Sequence, residues 1–308
     1  MAEKIVARGY HKFFNLNERE DTRIENLNNP FIFPLEAIEK ANGYLGLLSA
    51  FTDKNGDSHF HISSKTNING EYSEVFHNMI ESYLDDDLKE MLLEKNVTLL
   101  FEVIEPEFDP HIEEYNEAQL VFLDAVRNII DFELDYEAYK LFLSHFINKY
   151  MNDKNDKIVI RAPKKLAVLN NYQELTQFLN NLNTVKPFDK VNYIEGAVIK
   201  EKDKVSPFMF KLKTKYYKFW KYMRTIKDSV YKKIQEPALK DNKDINGLFK
   251  RYSPEIKARL YAYEENVVVN FMFDKILKDP NDPEWIDLSK INIIELRKKI
   301  LKTLKEKN

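Results

Sequence analysis

Residues 38–51 carry the first chemistry to consider. Ile38-Glu39-Lys40-Ala41-Asn42-Gly43 opens into the apolar run Tyr44 to Phe51, so one lysine stands just before a glycine and a buried-looking strand. A lysine at such a turn can act as a covalent nucleophile if its amine is neutral when it attacks. The free amine titrates at about 10.4, so desolvation or neighbouring charge must lower it. Lys-x-x-Gly taken alone describes a solvated turn lysine equally well.

Further charged residues follow Lys40 in order. Ser64-Lys65 ends a predicted strand, and Glu102 interrupts the apolar run Val97 to Ile104. Glu195 sits in a second such run, Val191 to Lys200, beside Gly196. A carboxylate in an apolar strand is costly unless a cation or metal answers it. In Pro207 to Lys213, alternation puts Lys211 and Lys213 on one face and Phe208, Phe210 and Leu212 on the other. Two lysines on one strand face make a phosphate clamp, or simply a solvent-facing edge. Upstream, Arg8-Gly9 and Lys12-Phe13-Phe14-Asn15 set cations beside an aromatic pair, a pattern that snorkelling cations over a core segment also give. His59 and His61 share a strand face without an evident third metal ligand nearby, so a polar strand face accounts for them.

These residues need strands and helices to position them. Asp53-Lys54-Asn55-Gly56-Asp57 predicts a hairpin between the strand starting at Gly43 and the strand Ser58 to Lys65. The spacing of Phe76, Met79, Ile80, Tyr83, Leu84, Leu88, Met91 and Leu92 predicts a helix over 73–94 capped by Ser73, with Glu81 and Asp85 to Asp87 on its solvated face. Leu120 to Val126 is a further apolar run; Asp135 predicts a cap for a helix to about Tyr150, and Asn170 or Asn171 for a helix containing Leu175 to Leu182. Beyond residue 214 the texture is helical and basic. Ser253-Pro254 predicts a helix start, Pro280 and Pro283 are breaks, and Ser289 predicts a cap for a last helix from Ile291.

Composition narrows the class. The 308 residues are 44% hydrophobic, enough for two domains and a core, and the net charge of −3 confines any polyanion site to a local patch. The absence of cysteine removes disulfides, thiolate metal sites and a thiol nucleophile, and fits a reducing cytosol. No apolar run approaches the roughly 18 residues that span a bilayer, and the N-terminus lacks a signal peptide's apolar core. No Gly-x-Gly-x-x-Gly occurs, which argues against a Rossmann site.

The ordered set Lys40-Ala41-Asn42-Gly43, Ser64-Lys65, Phe101-Glu102, Glu195-Gly196-Ala197-Val198 and Lys211-Leu212-Lys213 resembles the nucleotidyltransferase motifs of polynucleotide ligases and RNA capping enzymes. Arg8-Gly9 with Lys12 to Asn15 is similar to the segment before the nucleophile in phage-type ATP-dependent RNA ligases and in the ligase domain of fungal tRNA ligases. The resemblance covers roughly residues 4–215. It implies an α+β fold: an adenylyltransferase domain over 1–215, built of antiparallel sheets with flanking helices, then a small all-helical domain over 216–308. It implies ATP and Mg²⁺ or Mn²⁺ as cofactors, a lysyl-adenylate on Lys40, transfer of AMP to an RNA 5′-phosphate, and sealing by a 3′-hydroxyl. Lys211 and Lys213 would contact the phosphates, Glu195 the metal, and Glu102 the nucleoside. Arg8, Lys12 and Lys65 would line the nucleotide and RNA side. RNA or tRNA repair in the cytoplasm of a bacterium or phage-infected cell follows, with a separate polynucleotide kinase/phosphatase as a partner left open.

Asn42 departs from the usual Lys-x-Asp-Gly, as it does in the fungal tRNA-ligase branch. DNA ligases and mRNA-capping guanylyltransferases share the motifs but usually carry an OB domain where this chain reads as helical. A relict that only binds RNA would have lost one or more of Lys40, Glu102, Glu195, Lys211 and Lys213, and all are present. Within the basic, aromatic stretch 214–236, which also holds Lys233, helical spacing brings Lys218, Lys221 and Lys232 near one face with Arg224 and Lys227 beside it, a candidate path for an RNA backbone. The interleaved aromatics fit a core better than a stacking platform.

Overall fold

The computed structural model describes residues 4–109, 112–113, 115–152, 158–184, 194–235, 254–263, 266–271 and 292–306, with side chains of the helix that opens at Lys215 described through residue 225. The expected features at Val191, Ser253, Pro280, Pro283, Ser289 and Ile291 lie outside the described residues, as do the side chains of Lys227, Lys232 and Lys233. The chain divides into two compact units, one of residues 1–109, 115–177 and 196–212, the other of 110–114, 178–195 and 213–308.

The fold is α+β. One five-stranded sheet has the order β1-β10-β9-β2-β8: β1 is Phe14–Asn15, β10 Met209–Lys213, β9 Gly196–Glu201, β2 Leu35–Lys40 and β8 Lys165–Leu169. The other has the order β4-β3-β5-β6-β7: β4 is Ser58–Ser64, β3 Tyr44–Thr52, β5 Val97–Ile104, β6 Gln119–Arg127 and β7 Val159–Arg161. β1 runs parallel to β10 and β7 parallel to β6, whereas β2 is antiparallel to β8 and β9, and β3, β4, β5 and β6 pair antiparallel in turn.

The second sheet is two-faced. Leu99, Phe101 and Val103 of β5 pack with Phe122 against the helices α1 (Glu71–Ile80), α2 (Asp86–Lys95) and α3 (Tyr136–Asn152), through Phe76, Leu88, Leu92, Phe142 and Phe146. Each such side chain stabilises the fold by about 1.5–3 kcal/mol on burial. On the other face Leu100 meets Leu47, Val126 and Tyr10. Alternation therefore turns Glu102 away from the helices.

Local chemistry explains where the elements depart from the sequence pattern. The expected single helix over 73–94 is two, separated by a 3-10 turn at Glu81–Tyr83. Asp85 is the break: its Oδ1 accepts from Leu88 N at 2.8 Å and caps α2, so it is no member of a solvated helix face. Ser73 is not a cap either. It is buried inside α1, where its Oγ accepts from Ser64 N and donates to Asn67 O, pinning the loop after β4. The hairpin forms as expected, with Gly56 at φ +92° and Asp53 Oδ1 accepting from Asn55 N and Asp57 N. Asp135 caps α3 through Ala138 N, and Asn171 caps α4 (Tyr172–Asn183) through Glu174 N.

In the second unit, α5 (Lys215–Gln235) buries Tyr216, Tyr217, Phe219, Trp220 and Met223. These aromatics are core. Helices α6 (residues 254–261), α7 (Asn266–Phe271) and α8 (Ile293–Glu306) follow. From α8 the buried Arg297 donates to Ile112 O at 3.0 Å, with its guanidinium over Tyr216 and Trp220. Burial holds that guanidinium down to about 10.

Candidate active site

Lys40 does not stand in a turn, as the sequence pattern suggested. It is the last residue of β2, paired across the sheet with Gly196 at the start of β9. The turn behind it is fixed by two hydrogen bonds: Asn42 N donates to Tyr115 Oη and Gly43 N to Glu102 Oε1, both at 2.9 Å. A Cβ on Gly43 would sit 2.2 Å from Val103 O, so the glycine is required by close approach of backbone to backbone. Glu102 thus holds the turn after Lys40, a role that its place in an apolar strand did not disclose.

The N-terminal segment forms one wall. Val6 O accepts from Ser49 Oγ and Asn128 Nδ2, and Arg8 N donates to Thr98 Oγ1, so buried polar groups of the second sheet hold an unpaired backbone. Tyr10 Oη donates to Asp124 on β6, and Lys200 Nζ on β9 donates to the same carboxylate at 3.0 and 3.1 Å. Asp124 and Lys200 are both buried and bridge the two sheets. Burial, then the Asp124 charge, drives the Tyr10 hydroxyl well above the ordinary tyrosine range. The segment next joins the first sheet as β1, where Asn15 pairs with Lys211 and Leu16 N donates to Lys211 O. Lys211 Nζ lies over the Phe13 ring at 4.9 Å, and Lys12 Nζ over Phe14 at 5.0 Å.

Between these walls lies a pocket of about 440 Å³. It brings together Lys12, Lys40, Lys65, Glu102 and Lys211 of the expected residues, and adds Glu18 and Glu39 with the apolar surface of Ile38, Leu45, Leu123, Val198 and Met209. Ile38 and Val198 are register partners on neighbouring strands, a floor suited to a flat apolar group. An amine among cations, next to such a floor, can attack an electrophilic phosphorus whose departing charge the cations receive.

Other expected residues lie elsewhere. Arg8 is not in the lining. Its Nη1 donates to the carbonyls of Ile129, Ile130 and Asp131 and its guanidinium lies over Phe132, so it fastens a loop. Glu195 and Lys213 belong to the second unit, where the buried Glu195 carboxylate is 2.8 Å from Lys213 Nζ. Thr214 Oγ1 donates to Ile194 O and Glu195 O, fixing the segment. Lys218 and Lys221 are exposed on α5 and Arg224 is partly so. His59 Nε2 faces Asp53 Oδ2 at 3.3 Å and His61 faces Ser63; among the described residues no group of three or more His, Asp or Glu is gathered for a metal ion. A Mg²⁺ held chiefly by waters and phosphates needs few protein carboxylates, a demand one buried Glu195 fits.

Among the residues that escaped the sequence reading are Glu18, Glu39, Asp124 and Lys200. The signal for the last two was the one noticed for Glu102 and Glu195, a lone charge in an apolar strand. Applied evenly, it would have marked Asp124 in Leu120 to Val126 and Lys200 at the end of β9, with opposite signs.

A family model described as RNA ligase matches residues 1–218. No curated protein matches significantly. Among solved structures, a Naegleria gruberi RNA ligase mutant with ATP and Mn is similar at 16% identity and TM-score 0.42, over 63% of this chain and 54% of that one. A second mutant of that enzyme with ATP and Mn aligns at 18% identity and TM-score 0.42, over 70% and 60%. An archaeal ATP-dependent RNA ligase aligns at 14% identity and TM-score 0.47, over 96% of this chain and 74% of that one. The chain spans less than two thirds of the length of these Naegleria structures.

Proposed function

The chain belongs to the RNA ligase family, and on that premise we propose that it is an ATP-dependent ligase joining 5′-phosphate and 3′-hydroxyl RNA ends. The observation that carries this reading is Lys40 at the end of β2, in one pocket with Lys12, Lys65 and Lys211. The neutral amine of Lys40 attacks the α-phosphorus of ATP; the N–P bond forms as the P–O bond to pyrophosphate breaks. The surrounding ammonium groups disfavour a further positive charge on Lys40 and meet the charge developing on the phosphates. The Ile38–Val198 floor takes the base. AMP then passes to the RNA 5′-phosphate, and the 3′-hydroxyl of the other end displaces it.

Glu195 would hold a divalent cation, whose chemistry is to neutralise phosphate charge. Lys213, paired with Glu195, would contact phosphate, and Arg8 acts by holding the wall of the pocket. Residues 1–215 serve adenylyl transfer, and 216–308 RNA recognition through Lys218, Lys221 and Arg224. The setting that fits is cytoplasmic RNA or tRNA repair, with a separate kinase/phosphatase preparing ends that lack the required groups. No described helix is long and apolar enough to cross a membrane.

The test is incubation with ATP and, separately, GTP labelled at the α-phosphate. A label from ATP that survives denaturation in wild type and is lost in Lys40→Ala is expected. Labelling from GTP alone would instead point to capping chemistry, and label undiminished in Lys40→Ala would remove the nucleophile.

A further inference from the structure

Glu39 is a carboxylate one residue from the proposed nucleophile, and it is 5% exposed. Strand alternation turns it away from Lys40, to the side of Leu35 and Ala37, which are buried. An anion so close to Lys40 opposes the neutral amine that the chemistry needs, unless it is balanced.

It is balanced from the other sheet. Arg161 Nη1 on β7 donates to Glu39 Oε1, and Arg161 Nε donates to Gln119 Oε1 at 2.7 Å, which sets the guanidinium's plane. Lys164 N donates to the same Glu39 oxygen at 2.9 Å, while Glu39 N donates back to Lys164 O at 2.8 Å. Lys164 Nζ is 4.0 Å from Oε2 but largely in solvent, so its charge is screened and Arg161 is the principal partner. Backbone and side chain of Glu39 are thereby clamped immediately before Lys40.

We propose that Arg161 is a positioning residue for adenylyl transfer: acting through Glu39, it fixes the end of β2 and offsets the carboxylate of the residue just before the nucleophile. This rests on the reading of Lys40 as the nucleophile. The charged groups that line the pocket with Glu39 and Lys40 are Lys12, Lys65, Lys211, Glu18 and Glu102, and Lys165 is engaged with Glu36 at 2.8 Å. Removing Arg161 leaves Glu39 uncompensated, which favours the ammonium form of Lys40. Fewer amines are then neutral at a given pH, and the rate is recovered only as pH rises.

The experiment is single-turnover self-adenylylation of the full chain with labelled ATP, for wild type, Arg161→Met, Arg161→Lys, Glu39→Gln and the double variant Arg161→Met/Glu39→Gln. Reaction amplitude reports the folded fraction; the rate constant reports the nucleophile. Arg161→Met should react about tenfold more slowly at neutral pH, with its pH–rate profile displaced about one unit to alkaline and its KM for ATP within about twofold. Arg161→Lys keeps the charge and should keep the profile. In the double variant the uncompensated carboxylate is gone, and the rate constant should return to within about threefold of wild type. A wild-type rate constant and profile in Arg161→Met overturns the proposal, and so does a double variant as slow as Arg161→Met. If Arg161→Met loses amplitude through misfolding, the double variant, Glu39→Gln and Arg161→Lys still decide it: a displaced profile in Arg161→Lys counts against charge balance. A wild-type chain that forms no adduct overturns the Lys40 reading itself, and this inference with it.

Discussion

Lys200 Nζ lies 3.0 Å from Asp124 Oδ1, an ion pair buried between β9 of one sheet and β6 of the other. Tyr10 adds its hydroxyl to the same carboxylate and so draws the N-terminal segment onto the junction. The walls of the pocket are therefore held by one shared anion.

Removing one partner of such a pair strands the other. Lys200→Met should destabilise the protein by about 3–5 kcal/mol, whereas Lys200→Met with Asp124→Asn should cost much less. Urea unfolding followed by far-ultraviolet circular dichroism measures both. Equal losses in the single and double variants would show that packing, not charge, dominates there.

The buried tyrosines predict an alkaline limit. Burial, reinforced by Tyr150, raises Tyr83 to about 12, and burial with the Asp124 charge holds Tyr10 well above the ordinary tyrosine range. For groups whose folded state holds the proton more tightly, stability is intact below the unfolded value of about 10 and falls as pH rises above it. Unfolding free energy should decline steeply from about pH 10, and Tyr10→Phe should flatten the decline while removing a hydrogen bond. A Tyr10→Phe protein with an unaltered alkaline slope would place the titration elsewhere.

Gly43→Ala tests the turn behind Lys40. Its Cβ would overlap Val103 O, so turn or strand must move, at about 1–3 kcal/mol. Adenylylation should fall by more than the loss of folded protein accounts for, because the displaced group lies just after Lys40. Full activity in a folded Gly43→Ala would show that the turn tolerates displacement.

For the tail, neutralising Lys218, Lys221 and Arg224 together should weaken RNA binding and flatten its salt dependence, since fewer counterions are released. The lysyl-adenylate should form at the wild-type rate. Binding titrations at several salt concentrations decide it, and an unchanged slope would leave α5 a structural role.

The readable parts of the chain were those where one residue type has one use. β5 announced itself as an apolar run, and the hairpin at Asn55-Gly56 and the caps at Asp135 and Asn171 followed from side-chain hydrogen bonding. β2 was hidden because its inward positions are Leu35, the small Ala37 and the charged Glu39, which spoil the alternation an apolar face would show. The helix break was hidden because Asp85 suits a solvated face as well as a cap. At the site, Lys12, Lys40, Lys65, Glu102 and Lys211 were marked by type and order and do share a pocket. Arg8 was misleading because an arginine's reach does not reveal whether carbonyls or phosphates receive it.

The parallel pairing of β1 with β10 sets a timetable. Asn15 emerges early from the ribosome, yet its partner Lys211 is joined to the chain 196 residues later by the register Asn15↔Lys211. Through most of synthesis the N-terminal segment can rest on the second sheet through Ser49, Thr98 and Asn128, but the wall it forms beside Lys211 has to wait. Contacts of such sequence separation form late and slowly. A nascent chain would thus stay chemically silent until β10 has been delivered, and an interrupted translation product would hold Lys40 without the wall that completes its pocket.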